Sequence, residues 1–588
     1  MARWLILLGI LTTLGCGTNF GQVPIKHIIM VNAEGQPVDP AGNTGCLSKG
    51  CEKEHSPLKN YKVFEEGEYR NHIEAIRTGL CGHLGGTRKT EGEKKLCNVQ
   101  KEVTTPHKIL IFLHGGLNLQ TYSVERATKL YRAILEEGDA YPIFINWQSS
   151  LFPSYWKSLV HIRQGVDWSE GGWSTVGGYL TAPFYLASDL TRAAVRTPVA
   201  VFSQIRNDIE TVPAFQSVWS SDLRLAQEAS LYALCYSKWK DDESRRARYQ
   251  YEELLNIRKY DCEPYVSSNN QALSRLNIWN GPDSRGIGEK TEAFAKYFVT
   301  LPTKLVAAPI LDAFGTSAWD VMLRSVSQLF HYDRELGKHT SLGEDHISEE
   351  DFRATGALSL FLKQLYQEIC TGSSIKQQTK NEKEAKNECE NTNKWEITLV
   401  SHSMGTIVMN HIIREFGDLP IKNIVYMGAA STVRDYQDTI FPYLEKKNAS
   451  IRLNEAPTAC NPVGGNEKAL CVYHLMLHET AESGEWWDDR IDPWPRGSLL
   501  VWLDNFLTHP LSKDDRTLGR FSNFITAVHH TPEQLKPYIH IVKFGAGDNA
   551  YGPQKHGDFG QKLKFWKPVC WYPPENPPKD CFTKHGHF

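Results

Sequence analysis

The chain has 588 residues, 41% of them hydrophobic and 23% charged, which supplies a large core and excludes a disordered chain. Lys and Arg number 65 against 68 Asp and Glu, a formal net charge of -3, and no long basic block stands out. A nucleic-acid partner would leave a basic footprint, so that class is disfavoured. Since α/β proteins commonly run past about 250 residues as one domain, a single, heavily decorated core is expected.

At the N-terminus, Arg3 precedes the apolar run Trp4 to Leu11 and then small and polar residues. The run is too short to span a bilayer and reads as a signal peptide over residues 1–15. The following Leu14-Gly15-Cys16 resembles the lipobox of bacterial lipoproteins, in which the Cys becomes a lipidated N-terminus; Thr13 stands where that pattern has Leu. Cleavage by ordinary signal peptidase is the rival reading. Of the 13 Cys, setting Cys16 aside leaves sequence-local couples: Cys46/Cys51, Cys81/Cys97, Cys235/Cys262, Cys370/Cys389, Cys460/Cys471 and Cys570/Cys581. Local bridges in an oxidising compartment would account for them. The expected location is therefore the cell envelope or the exterior. The Cys spacing matches no zinc site, so no metal is expected.

Residues 16–105 read as a loop-rich, disulfide-pinned arm. Lys108 to Leu113 is an apolar run suited to a strand buried on both faces, and it ends in His114-Gly115-Gly116-Leu117. A helix over Tyr122 to Glu137 and a strand over Tyr141 to Trp147 complete a βαβ unit, giving a first core segment at 106–150. Regular alternation then stops. Residues 151–350 read as a helical insertion, with helices over Leu190 to Ile209 (kinked at Pro198), Leu223 to Leu255 and Ala318 to Phe330. The stretch Pro183 to Ile209 alternates apolar runs with Arg192, Arg196 and Arg206, which suits either a core-packing helix or one resting on a membrane surface.

The βα pattern resumes over 351–567: a helix from Phe352 to Ile369, a polar loop between Cys370 and Cys389, a strand from Trp395 to Val400, a helix from Met404 to Phe416, and strands at Ile421 to Met427, Leu470 to Leu477 and Ile539 to Phe544. A Pro-rich tail fills 568–588. Strands buried on both faces and separated by helices predict a mainly parallel sheet.

The sharpest chemical signal is Ser401-His402-Ser403-Met404-Gly405 between a strand and a helix. That is the setting of a nucleophile elbow, where a tight turn lifts a Ser hydroxyl to the edge of a sheet and small neighbours let strand and helix approach. Ser401 replaces the usual first Gly. Backbone N–H groups of Gly116 or Leu117, together with that of Met404, suit an oxyanion hole; His114 reads as structural. Late in the chain, His556 lies on a long loop after the last strand and is the candidate base, with His529, His530 and His540 as rivals. The third member holds the imidazole. Glu482 is the first choice, with Glu479 and Asp435 as alternatives.

Together the HGGL loop, the SHSMG elbow and the late HGDF His resemble the lipase and esterase branch of the α/β-hydrolase superfamily, over residues 106–150 and 351–567. The resemblance implies an α/β-hydrolase fold with a mainly parallel central sheet flanked by helices; the insertion falls where such enzymes carry a lid or cap, and a stabilising domain packed on the core is the other reading. It also implies a serine hydrolase that cleaves a carboxylic ester, of a small molecule or a lipid, through an acyl-enzyme and without a cofactor. Nearly 290 residues separate the two loops, an unusual gap. The alternatives are an amidase or thioesterase, and a catalytically silent surface module on the same fold. Membrane association through a lipidated Cys16 would follow from the lipobox.

Overall fold

The computed structural model describes residues 23–42, 61–211, 278–280, 287–331, 356–370, 394–451, 460, 469–485, 494–571 and 581–582, apart from 33–34, 86, 92–93, 99–105, 117–119, 139, 150, 161, 164–165, 168–172, 533 and 548–551. The signal-peptide run, Cys16, Leu117, the expected helix over Leu223 to Leu255 and the polar loop before Cys389 lie outside the described residues.

The fold is α/β, a mostly parallel sheet with flanking helices. Its strands are β1 (Ile28–Val31), β2 (His107–Leu113), β3 (Tyr141–Trp147), β4 (Ile278–Asn280), β5 (Trp395–His402), β6 (Ile421–Met427), β7 (Cys471–Met476) and β8 (Ile539–Lys543). β3, β7 and β8 are buried along their whole length. Continuous burial, instead of alternation, marks strands covered on both faces. The apolar runs in the sequence match β2, β3, β5, β6, β7 and β8 to within a residue or two.

The chain divides into two compact units, residues 1–158, 318–400 and 415–421 in the first and 159–317, 401–414 and 422–588 in the second. In the first, the strand order is β1-β3-β2-β5. Parallel registers pair Ile28 with Phe144 and Ile109 with Tyr141. The N-terminal arm, expected to be loop-rich, supplies edge strand β1, the helix Glu66–His83 and an antiparallel hairpin (Thr87–Glu91 with Lys94–Asn98). Tyr69, Ile73, Ile76 and Leu80 bury one stripe of that helix. Tyr69 donates to the Ala357 carbonyl (2.7 Å), and Arg77 Nε donates to the Glu368 carboxylate (2.9 Å). A helical period was therefore present among the Gly and Lys clusters of the arm.

In the second unit the order is β6-β7-β8-β4, parallel throughout. β4 lies inside the stretch expected to be helical only. The insertion's described helices are Leu151–Val160, Trp173–Val195, Thr197–Thr211 and Ile287–Phe330. The expected kink at Pro198 is instead a break at Arg196, with Pro198 in the first turn of a new helix, where its missing N–H costs nothing. The expected helix over Ala318 to Phe330 is the end of a 44-residue one. Disulfides join Cys460 to Cys471 and Cys570 to Cys581, and Cys81 and Cys370 are disulfide-bonded as well. These fit an oxidising compartment. Among the described residues no helix is long and apolar enough to cross a membrane.

Gly519 packs so tightly that a Cβ there would sit 2.1 Å from the Ala429 nitrogen. Gly519→Ala should therefore cost about 1–3 kcal/mol through backbone displacement; a urea midpoint equal to that of the parent would show that the chain segment after β6 yields freely.

Candidate active site

β5 ends in Ser401-His402, and the helix Gly405–Phe416 begins two residues after Ser403. Between them Ser403 takes φ of 52°, the left-handed region that a side chain disfavours. The turn is pinned on both sides. The Ser403 N–H donates to the Met427 carbonyl at 2.9 Å, and the Ser403 carbonyl accepts from the N–H groups of Thr406 and Ala430, each at 3.1 Å, and from the Thr406 hydroxyl at 2.7 Å. Ser401, in place of the usual glycine, turns its hydroxyl onto the Val425 carbonyl (3.3 Å) and so satisfies its one polar group inside the sheet. The Ser403 hydroxyl itself is 1% exposed and has no hydrogen-bond partner.

His556 opens a short 3-10 turn, His556–Gly560, after β8. Its ring reaches the end of β6. A Cβ on Gly428 would lie 3.0 Å from both Cε1 and Nδ1 of that ring, and Gly428, at φ of 51°, is the residue after the one that accepts from Ser403. The His402 ring lies 4.9 Å away, centre to centre, and its Nε2–H donates to the His556 carbonyl at 2.9 Å. The His556 N–H donates to Glu485 Oε2, also at 2.9 Å. The peptide of His556 is thus held from two directions, whereas among the described residues both ring nitrogens lack a hydrogen-bond partner. Burial pushes its imidazole down to about 4, so it is neutral at pH 7. The structure brings Ser403 and His556 to the same strand ends without hydrogen-bonding them to each other.

The candidate acids sit elsewhere. Glu482 accepts from the Ser498 hydroxyl, and burial raises its carboxyl to about 8. Glu479 pairs with Lys543 at 3.3 Å. Asp435 accepts from Asn410 (2.5 Å) and Arg414 (2.6 Å) at the start of the helix Val433–Asn448. None of the three is hydrogen-bonded to the His556 ring. Glu485, one helical turn beyond Glu482, was not singled out from the sequence, although it continues the spacing of Glu479 and Glu482. Desolvation raises its carboxyl to about 7. His402, the variable residue of the elbow, carried no signal in the sequence either.

Of the rival bases, His540 is buried in β8, stacked on Tyr473, and depressed to about 3 by burial. His529 and His530 belong to the helix Phe521–His530.

In the first unit, His114 Nδ1 donates to the Gly115 carbonyl (2.6 Å) and Nε2 accepts from the Trp147 N–H (3.0 Å). With its ring stacked on Trp147 and its pKa lowered to about 3 by burial, His114 holds the turn in which Gly116 lies. Among the described residues no group of three or more His, Cys, Asp or Glu is placed to hold a metal ion.

The buried groups set opposite pH dependences. The folded state binds His556's proton only near pH 4, the unfolded chain near 6.5, so this contribution to stability falls as pH drops through that window. Glu482 keeps its proton in the fold up to about pH 8, while an unfolded carboxyl loses it near 4.5, so its contribution falls as pH rises between those values. Glu482→Gln should thus gain stability relative to the parent on going from pH 5 to pH 8, by up to a few kcal/mol. Urea unfolding of both proteins at the two pH values measures it; parallel profiles would mean that the carboxyl ionises normally.

No protein-family model, no curated protein and no solved structure matches this chain.

Proposed function

We propose that the chain is an exported serine hydrolase of the α/β-hydrolase type that cleaves carboxylic esters, with Ser403 as nucleophile and His556 as general base. The observation that carries the reading is the backbone of Ser403: a non-glycine residue at φ of 52°, between strand and helix, with a buried and unbonded hydroxyl. Such strain persists only where the surrounding bonds over-determine it, and it concentrates at active sites. His556 supports the reading by being neutral and close to the same strand end.

In this mechanism a neutral imidazole takes the Ser403 proton as the oxygen attacks the ester carbonyl. The Met404 N–H, next along the turn, donates to the developing oxyanion. The imidazolium returns its proton to the leaving alcohol, and water, deprotonated by His556, releases the acid. At 1% and 6% exposure, Ser403 and His556 are closed to solvent, so substrate entry requires an opening. For the third residue, Glu482 is bonded to Ser498 and away from the His556 ring, and Glu485, bonded to the His556 peptide, is the better candidate. The insertion acts as lid or cap, and a lipidated Cys16 tethers the enzyme to the envelope. An amide or thioester substrate fits the same chemistry.

One observation favours the alternative of a silent surface module: among the described residues no acid is hydrogen-bonded to the His556 ring to fix its tautomer. A fluorophosphonate probe separates the two. The parent should be labelled at Ser403 and should hydrolyse p-nitrophenyl esters; Ser403→Ala should lose the label and at least about three orders of magnitude in kcat with unchanged unfolding. Absence of labelling in the parent, or full turnover in Ser403→Ala, would sink the hydrolase reading.

A further inference from the structure

Helices on the surface of a soluble domain turn polar side chains to water and apolar ones inward. Three segments of the second unit do the reverse. Leu180, Phe184 and Val195 on the helix Trp173–Val195, Phe202 on Thr197–Thr211, and Val299 and Val306 on Ile287–Phe330 are each at least 67% exposed. The inward faces of the same segments carry Asp189, Gln204, Asn207, Asp208, Lys304 and Asp312, all buried. Part of that inner layer is hydrogen-bonded or ion-paired. Gln204 donates to Asp208 (2.7 Å), and Asn207 donates to the Arg496 carbonyl (3.0 Å). Asp312 meets Arg196 Nε at 2.8 Å and His509 Nε2 at 3.1 Å. Polar groups bonded to one another beneath an apolar exterior are the arrangement of a protein whose surroundings are themselves apolar.

Charge narrows the choice of surroundings. From 177 to 208 and from 299 to 310, no fully exposed residue is charged. The acids there are buried, and the charged side chains that partly reach the surface, Arg192, Arg196 and Arg206, are all cationic, Arg196 being already paired with Asp312. A second copy packed symmetrically on this face would meet the arginines with a surface that carries no exposed acid, and so would leave their charge uncompensated. Anionic headgroups would pair with them while acyl chains cover Phe184 and Phe202. Since no described helix can cross a membrane, the contact is in the plane of the interface.

We propose that the outward face of residues 177–206 and 299–310 docks on the surface of an anionic lipid bilayer. The inference is independent of the hydrolase reading. Its test is co-sedimentation of the full chain carrying Cys16→Ser, so that no acyl anchor contributes, with phosphatidylcholine vesicles with or without phosphatidylglycerol. The parent should pellet with the anionic vesicles. Phe184→Glu with Phe202→Glu should lower that partition at least about tenfold with unchanged thermal unfolding. Arg192→Gln with Arg206→Gln should reduce the preference for phosphatidylglycerol. Leu511→Glu, at a 98% exposed loop position outside these helices, should behave as the parent. The proposal is overturned if the parent stays in the supernatant with both vesicle types, if the double Glu variant pellets like the parent, or if light scattering shows a dimer that this variant dissociates.

Discussion

The rest of the candidate site depends on one backbone angle. A left-handed φ at Ser403 is uphill for any residue with a Cβ, and four hydrogen bonds from its own peptide groups and to the next turn hold it there. Those bonds tie the end of β5 to the end of β6 and to Ala430. The turn cannot relax without breaking the register at the strand ends. The helix that follows starts with Gly405, and the small Ser401 behind the turn absorbs its own hydroxyl into the sheet. The strain therefore has a local structural cause.

The second constraint is the clamp on the His556 peptide. His402 takes its carbonyl and Glu485 takes its N–H, so the two residues flanking the site chemically are also the ones that fix the loop. The ring is left unbonded. A buried imidazole without partners stays neutral, which suits a base, but its orientation then rests on packing, with Gly428 leaving the room that a Cβ, 3.0 Å from the ring, would take. Gly428 is forced to be glycine twice over, by its own φ of 51° and by the ring that a Cβ would strike.

The strands were legible because burial on both faces writes itself as an unbroken apolar run; β2, β3, β6 and β7 could be bounded to within a residue or two. Ser403 and His556 could be singled out as candidates because a turn between strand and helix, and a loop after the last strand, are positions as much as residue types. β1 and β4 were not, since four and three residues are too few to carry a period. The acid was not legible either. Three carboxylates recur within seven residues at Glu479, Glu482 and Glu485, and only folding decides that one meets Lys543, one Ser498 and one the His556 peptide. Spacing alone could not rank them.

The insertion shows a deeper ambiguity. Helical periodicity reports that a helix has two unlike faces, and it does not report which face meets water. In the helix Gly405–Phe416 the apolar side chains Val408, Met409, Ile412 and Ile413 point inward, as the usual rule requires. In Thr197–Thr211 the inward side holds Gln204, Asn207 and Asp208, and Phe202 points out. In Thr197–Thr211 the buried Gln204 donates to Asp208 and Asn207 donates to the Arg496 carbonyl. What differs is the solvent each face is built for. The buried amides and carboxylates gain from bonding to each other, and they lose nothing by an apolar exterior. The large side chains outside are a cost in water and none against lipid. A fold that keeps this arrangement over three helical segments is organised around a surface it does not itself contain.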